Sequence, residues 1–203
     1  VPALTSGSIS GERERQTLNL LLTTRMTPAD IVVGKLMASL STMILLIVSS
    51  FPVLALVFIY GGVTVKDIVL LLLTFVSTAV LSGSVGICCS SMFKKSTIAT
   101  VVSYCVMAAL VLGTVAAAKV AAASGPSFWG WLLLVNPAVP FGAAMGKQMG
   151  SARRLSVFET WAGSSFQRLT VGDWLWLSLV VQLLLAGICL YTAISQVNPR
   201  RRR

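Results

Sequence analysis

The chain contains no histidine, and acidic residues are scarce. Its 203 residues include 6 Asp and Glu against 16 Lys and Arg. Without histidine, the commonest general base, proton shuttle and metal ligand is missing. The 4 cysteines lie within apolar runs and have no C-x-x-C spacing. No paired carboxylates and no glycine-rich phosphate loop occur. The sequence therefore predicts that this chain is not an enzyme and binds no cofactor or metal.

Charge of either sign is also sparse, and this indicates a lipid environment. Charged residues make up 11% of the chain and hydrophobic residues 56%, whereas a soluble domain carries about 25% charged residues. The net charge of +10 comes from lysines and arginines at the ends of apolar runs. This is the pattern of residues that hold membrane spans at anionic headgroups, without the interleaved aromatics of a nucleic-acid site. We expect a lipid bilayer as partner and no nucleic acid.

Long apolar runs are what the chain has in abundance. A transmembrane helix needs about 20 mostly apolar residues, and four segments meet this length: 32–60, 67–92, 97–123 and 174–197. The first contains Pro52, which should kink it. The fold class expected is an all-α membrane protein with four transmembrane helices in one transmembrane domain, 1–203.

The segment 128–150 is apolar enough to enter the membrane, so four or five spans are possible. The positive-inside rule does not separate the two. Four spans place ten of the 16 basic residues inside: Arg13, Arg15, Arg25, Lys35, Lys94, Lys95 and Arg200 to Arg203. Five spans exchange the last four for another four: Lys147, Arg153, Arg154 and Arg168.

Two prolines favour the four-span interpretation. Pro137 and Pro140 remove two backbone donors from the middle of the apolar run, which disfavours a continuous lipid-facing helix. We therefore expect 128–150 to form a re-entrant or interfacial hairpin before the last span. Asn136 makes its centre polar, so Asn136, Pro137 and Pro140 are a candidate gate, with a plain structural break as the alternative.

The segment 9–26 is the one long polar stretch ahead of the spans. Placed on a helix, Leu18, Leu21 and Leu22 form one apolar face. Residues 12–15 form a mixed-charge first turn, with its acids near the positive end of the helix dipole. The pattern predicts an amphipathic helix that is too polar to cross the membrane. An interfacial helix lying on the bilayer is the alternative.

A second helix start follows at once. The pattern is typical of a helix N-terminus: Thr27 is the N-cap, Pro28 the first helical residue and Asp30 the third. The new helix should run through Gly34 and Lys35 into the first span. The two helices would then meet at a stiff elbow, through which a force on the first helix reaches the span.

These residues resemble a known family. The run Ile9 to Leu18, followed by Thr27-Pro28 and Ile31 to Lys35, is similar to the membrane subunits of type-2 ABC transporters. Those permeases show an acid-rich G-E-x-E segment, a T-P-like turn and I-V-L-G-K opening a span. Gln16 and Asn19 stand where the family usually has a glycine and an acid.

The resemblance implies that 9–26 is a cytoplasmic coupling helix docked in a soluble ATP-binding subunit, which carries the ATP and Mg. The contact residues it implies are Gly11, Glu12, Arg13, Glu14, Arg15, Thr17, Leu18, Leu21 and Leu22. It also implies six spans in the whole permease, so that this chain, which begins at Val1, is the C-terminal portion with the last four.

The resemblance further implies an exporter that works by alternating access as a homo- or heterodimer of permease subunits. We expect it in the plasma membrane of a bacterium, with the N-terminal segment and the C-terminal arginines in the cytoplasm. The alternative is a polytopic carrier or scaffold without ATP coupling. Secondary carriers usually hold ionisable residues within their spans, and these spans hold almost none.

Overall fold

The computed structural model describes residues 2–14, 27–60, 64–117, 120, 133–142 and 171–197. Within these ranges the regular structure is helical and no strand occurs. The α-helices used below are α1 (Pro2–Ser6), α2 (Ser10–Glu14), α3 (Pro28–Ser49), α4 (Phe51–Tyr60), α5 (Val65–Met92), α6 (Ser96–Ala108) and α7 (Val171–Val197).

Four helices are long and apolar enough to cross a membrane in the part of the chain that the structure describes. They cover Ala29–Val53, Val65–Met92, Ser96–Ala117 and Leu175–Val197. This confirms the expected all-α membrane fold with four candidate spans. Residues 118–119 and 121–123, at the end of the third predicted segment, lie outside the described residues.

The helix of the first span is interrupted two residues before Pro52. α3 ends at Ser49 and α4 begins at Phe51, so Pro52 falls in the first turn of α4, where a missing N–H is tolerated. Ser50 occupies the break, and its hydroxyl donates to Ile47 O at 2.6 Å. The kink expected at Pro52 is thus a separation into two helices.

The starts of α3 and α5 are fixed by the same local pattern. Asp30 N donates to Thr27 Oγ1 at 3.2 Å, and Thr27 N donates to Asp30 Oδ2 at 3.0 Å. Thr64 and Asp67 repeat both bonds at 3.4 and 3.2 Å. Such reciprocal caps satisfy backbone donors that the first helical turn cannot pair internally.

The chain divides into two compact units. The first comprises residues 1–46, 79–107 and 183–203, and the second comprises 47–78 and 108–182. In the first unit, a cluster of buried apolar side chains joins the turn after α1 to α3, α5 and α7. Its members are Ile9, Val32, Leu36, Ile87, Ala193 and Val197.

In the second unit, α6 continues into a π-helix, Ala109–Gly113. Of the expected hairpin 128–150, the structure describes 133–142: a 3-10 turn at 133–135 and a helical segment at 138–142. The remainder of 128–150 lies outside the described residues.

Candidate functional site

Residues 2–14, here called the N-terminal segment, form two short helices joined by a turn at 7–9. Ser8 Oγ donates to Thr5 O at 2.7 Å, and Ser10 Oγ donates to Ser6 O at 3.0 Å. Short hydroxyl side chains that bond nearby carbonyls are typical of such turns. The segment therefore has a defined local structure before its contacts with the spans are considered.

Ile9 is the apolar anchor of this segment. Its side chain is fully buried in the cluster that contains Val32 of α3 and Ile87 of α5. Burying an isoleucine contributes about 1.5–3 kcal/mol relative to leaving it exposed. The turn at 7–9 is thereby held against the ends of two spans.

Serine and threonine hydroxyls add polar links to the same spans. Ser90 Oγ accepts hydrogen bonds from Ile9 N at 3.0 Å and Ser10 N at 2.9 Å. Ser6 Oγ lies 2.9 Å from Thr100 Oγ1 of α6. The backbone amides at the start of α2 are therefore satisfied by a side chain of α5, which fixes the segment in position and orientation.

Gly86 lets α1 approach α5 closely. A Cβ atom at this position would overlap Thr5 Oγ1 and would lie 3.0 Å from Thr5 Cβ and 3.4 Å from Pro2 O. Small residues in spans allow such close backbone contact. Gly86 therefore serves the packing of α1 against α5.

Glu12 is joined to the first span by an ion pair. Lys35 Nζ lies 2.7 Å from Glu12 Oε1, and the two side chains are 24% and 27% exposed. A pair that is shielded to this extent is screened less by salt than a surface pair. It connects residues 23 positions apart in the sequence.

Arg13 lies at the C-terminal end of one helix, and Glu14 lies at the N-terminal end of another. Arg13 Nη2 donates to Ser91 O at 3.1 Å, in the last turn of α5. Ser96 Oγ, at the first residue of α6, donates to Glu14 Oε2 at 2.6 Å. A cation near a helix C-terminus and an anion near an N-terminus both interact favourably with the helix dipole.

Three consecutive residues therefore contact three different helices. Glu12 binds α3, Arg13 binds α5 and Glu14 binds α6. Sequence reasoning did not identify their partners Ser91 and Ser96. No motif marks them, because a serine at a span end is equally compatible with solvent exposure.

Of the remaining predicted contact residues, the structure describes Gly11, which lies in α2 and is partly buried. Arg15, Thr17, Leu18, Leu21 and Leu22 lie outside the described residues, as does the rest of the predicted helix 9–26 beyond Glu14. Of the elbow residues, Thr27 and Asp30 form the cap of α3, Pro28 is its first residue, Gly34 is exposed, and Lys35 holds Glu12.

The candidate gate residue Asn136 is fully buried in the second unit and uses both ends of its amide. Oδ1 accepts from Ala138 N at 2.9 Å, which caps the helical segment at 138–142. Nδ2 donates to Thr114 Oγ1 at 2.9 Å and to Val111 O at 3.1 Å. Pro137 occupies the turn after Asn136, and Pro140 is buried in the helical segment.

Val111 belongs to the π-helix of the third span. A π-turn shifts the hydrogen-bond register, so that carbonyls become available to outside donors, and such turns often mark functional positions. Thr114 was missed by sequence reasoning, because a threonine in an apolar run carries no signal of its own. The arrangement holds residues 133–142 on an irregular point of a span.

This arrangement provides mechanical links and no reactive group. Among the residues with a described position, no three His, Cys, Asp or Glu side chains come together as a metal site. The polar contacts join helices to one another instead of surrounding a reacting centre.

No curated protein and no solved structure matches the chain significantly. A family model described as "ABC-2 family transporter protein" matches residues 1–195. Nearly the whole chain is covered, so this multi-pass membrane protein belongs to the ABC-2 family of transporter membrane proteins, and it is a transport component and not itself an enzyme.

Proposed function

We propose that this chain is the membrane-spanning subunit of an ATP-binding cassette exporter, in which a separate soluble subunit hydrolyses ATP. Substrate moves by alternating access between the spans. The observation that carries the proposal is the attachment of the N-terminal segment to three helices through Glu12, Arg13 and Glu14. A segment attached in this way passes a displacement to several spans together.

The contact with the ATPase is proposed to lie on the helix 9–26, on its leucine face and its charged first turn. Glu14 is exposed while it accepts the bond from Ser96, so its second oxygen remains able to meet a basic partner group. ATP and Mg belong to the partner subunit. Two permease subunits, as a homodimer or heterodimer, complete the transporter.

The orientation proposed for the plasma membrane of a bacterium places the N-terminal segment and the terminal arginines in the cytoplasm. Basic residues support it. Among the described residues, the first unit holds four basic ones, Arg13, Lys35, Lys94 and Lys95. The second unit holds one described basic residue, Lys66. An excess of lysine and arginine is typical of cytoplasmic ends.

The test is purification of the intact protein in mild detergent, followed by a search for a co-eluting ATPase. Leu21→Asp places a charge on the leucine face and should abolish co-elution. Leu21→Met keeps volume and polarity and should retain it. Glu14→Arg reverses a charge and should also abolish co-elution, whereas Glu14→Gln keeps an acceptor for Ser96 and should retain most of it.

A folded wild-type protein that elutes without any ATPase would contradict the proposal and favour an uncoupled carrier or scaffold. Co-elution that survives both Leu21→Asp and Glu14→Arg would leave a transporter whose ATPase contact lies elsewhere.

A further inference from the structure

Glu12 and Lys35 close a loop within the chain. The covalent path between them runs through residues 13–34 and includes the leucines proposed to meet the ATPase. Their ion pair joins the two ends of this path directly, at 2.7 Å. α3 is therefore attached to the N-terminal segment through the chain at Thr27–Pro28, through the packing of Ile9 against Val32, and through this pair.

The cap and the ion pair differ in what they restrain. The cap formed by Thr27 and Asp30 fixes the start of α3 but is local to four residues. The ion pair acts more than one helical turn further along, since Lys35 follows Pro28 by seven positions and a turn takes about 3.6 residues. The pair therefore links α2 to α3 at a point beyond the cap.

The surroundings of the pair favour a fixed geometry. Lys35 lies between Val32 and Leu36 in the sequence, and both side chains are buried in the cluster that holds Ile9. The lysine stem is therefore next to packed apolar side chains, and its head reaches a carboxylate that is one-quarter exposed. An ion pair restrained in this way loses less side-chain entropy on forming than two mobile surface residues do.

We propose that Lys35 is a positioning residue of the transport cycle, which holds Glu12 so that the N-terminal segment and α3 move together when the ATPase closes. This rests on the proposed function, since an ATPase must supply the movement. It also assigns Glu12 to a contact within this chain and leaves the leucines and Glu14 as the contact with the ATPase. Lys35 touches neither ATP nor the transported molecule.

The experiment uses the purified complex of the intact protein with its ATPase. Val33 of α3 is 45% exposed and lies near the start of the span, so Val33→Cys in a cysteine-free background reports on this helix. Its labelling rate with a maleimide is measured without nucleotide and with ATP plus vanadate. In the otherwise unaltered protein we expect the rate to change when nucleotide is trapped.

Lys35→Gln should abolish most of this change while ATPase co-elution and basal ATP hydrolysis persist. Lys35→Arg should keep the change, because it keeps the charge. The exchange Glu12→Lys with Lys35→Glu should restore it, since it rebuilds the pair in reverse. Lys94→Gln is the matched control; it removes one charge from the exposed turn at 93–95 and should leave the response intact.

The outcomes separate the two proposals. A wild-type preparation without an ATPase overturns the proposed function, and this inference with it. An ATPase that co-elutes and a normal labelling response in Lys35→Gln overturn this inference alone. Loss of co-elution in both Glu12→Gln and Lys35→Gln overturns it as well, because the pair would then serve the partner contact. A failure of the charge exchange to restore the response has the same consequence.

Discussion

Asn136 and Thr114 are joined by a hydrogen bond of 2.9 Å across 22 positions of the sequence. Thr114→Val keeps the shape of the side chain and removes the acceptor, so a fully buried amide loses one of its partners. We expect a loss of about 1 kcal/mol in the free energy of unfolding, measured as a lower midpoint of thermal unfolding in detergent. Thr42→Val is the control, since Thr42 is exposed and bonds Ala38 O of its own helix. Equal shifts for both variants would contradict this role of Thr114.

Replacing Asn136 should have a larger effect than replacing Thr114. Asn136→Leu removes the cap on Ala138 N and both bonds to the third span. An N-cap alone contributes about 1 kcal/mol, so we expect a loss of about 2–3 kcal/mol in total. The same thermal measurement tests this. A midpoint for Asn136→Leu at or above that of Thr114→Val would show that the amide does not hold residues 133–142.

The contact between α1 and α5 predicts a strong response at Gly86. Gly86→Ala introduces a Cβ atom that overlaps Thr5, and overpacking of this kind costs about 1–3 kcal/mol. Gly187→Ala is the control: a Cβ there meets nothing within 4 Å, and alanine is the better helix former by about 1 kcal/mol. Thermal unfolding should therefore shift in opposite directions. Thr5→Ala in the Gly86→Ala background should recover part of the loss.

The contact between Ser77 and Gln182 predicts that replacing Ser77 costs more stability than replacing Gln182. Ser77 Oγ donates to the fully buried Gln182 Oε1 at 3.2 Å, and Gln182 Nε2 has no hydrogen-bond partner in the described part of the chain. Ser77→Ala leaves a buried oxygen unpaired, at a cost of about 1–3 kcal/mol. Gln182→Leu removes the whole amide and leaves the Ser77 hydroxyl its bond to Thr74 O at 3.0 Å, so it should cost less. Thermal midpoints of the two variants check this order. Ser84→Ala, at a buried serine that bonds Leu81 O of its own helix, is the control.

The proposed orientation predicts which ends of α5 are accessible from each side of the membrane. In a cysteine-free background, Lys66→Cys should react with an impermeant maleimide in intact cells, because the proposed orientation places the start of this helix on the extracytoplasmic side. Lys94→Cys, just beyond its other end, should react only after the membrane is opened. The reverse pattern would invert the topology and place the N-terminal segment outside.

The four span-length helices and the start of α3 could be predicted from the sequence. Hydropathy is a local property, so the apolar runs identified four span-length helices, and the structure has four candidates within its described ranges. The Thr27–Asp30 pattern is equally local, and α3 begins where it indicates. The matching cap at Thr64–Asp67 was overlooked, although it repeats the same threonine and aspartate spacing.

The contacts of the N-terminal segment could not be predicted in the same way. Nothing in the spacing of Glu12 and Lys35 indicates that they meet, because their approach depends on how α2 and α3 pack. The π-helix at Ala109–Gly113 is also invisible in composition. The element that packs against Gly86 also depends on the placement of α1 and not on the local sequence.

The ion pair of Glu12 and Lys35 has a consequence for how this sequence can diverge. Loss of either residue removes the ion pair and leaves the other as a quarter-exposed charge. Substitutions at positions 12 and 35 should therefore occur together among related chains, with charge lost at both sites or exchanged between them. Position 14 carries no such constraint, since Glu14 accepts from a hydroxyl. An acidic motif that looks uniform in one sequence thus contains one position tied to a distant lysine.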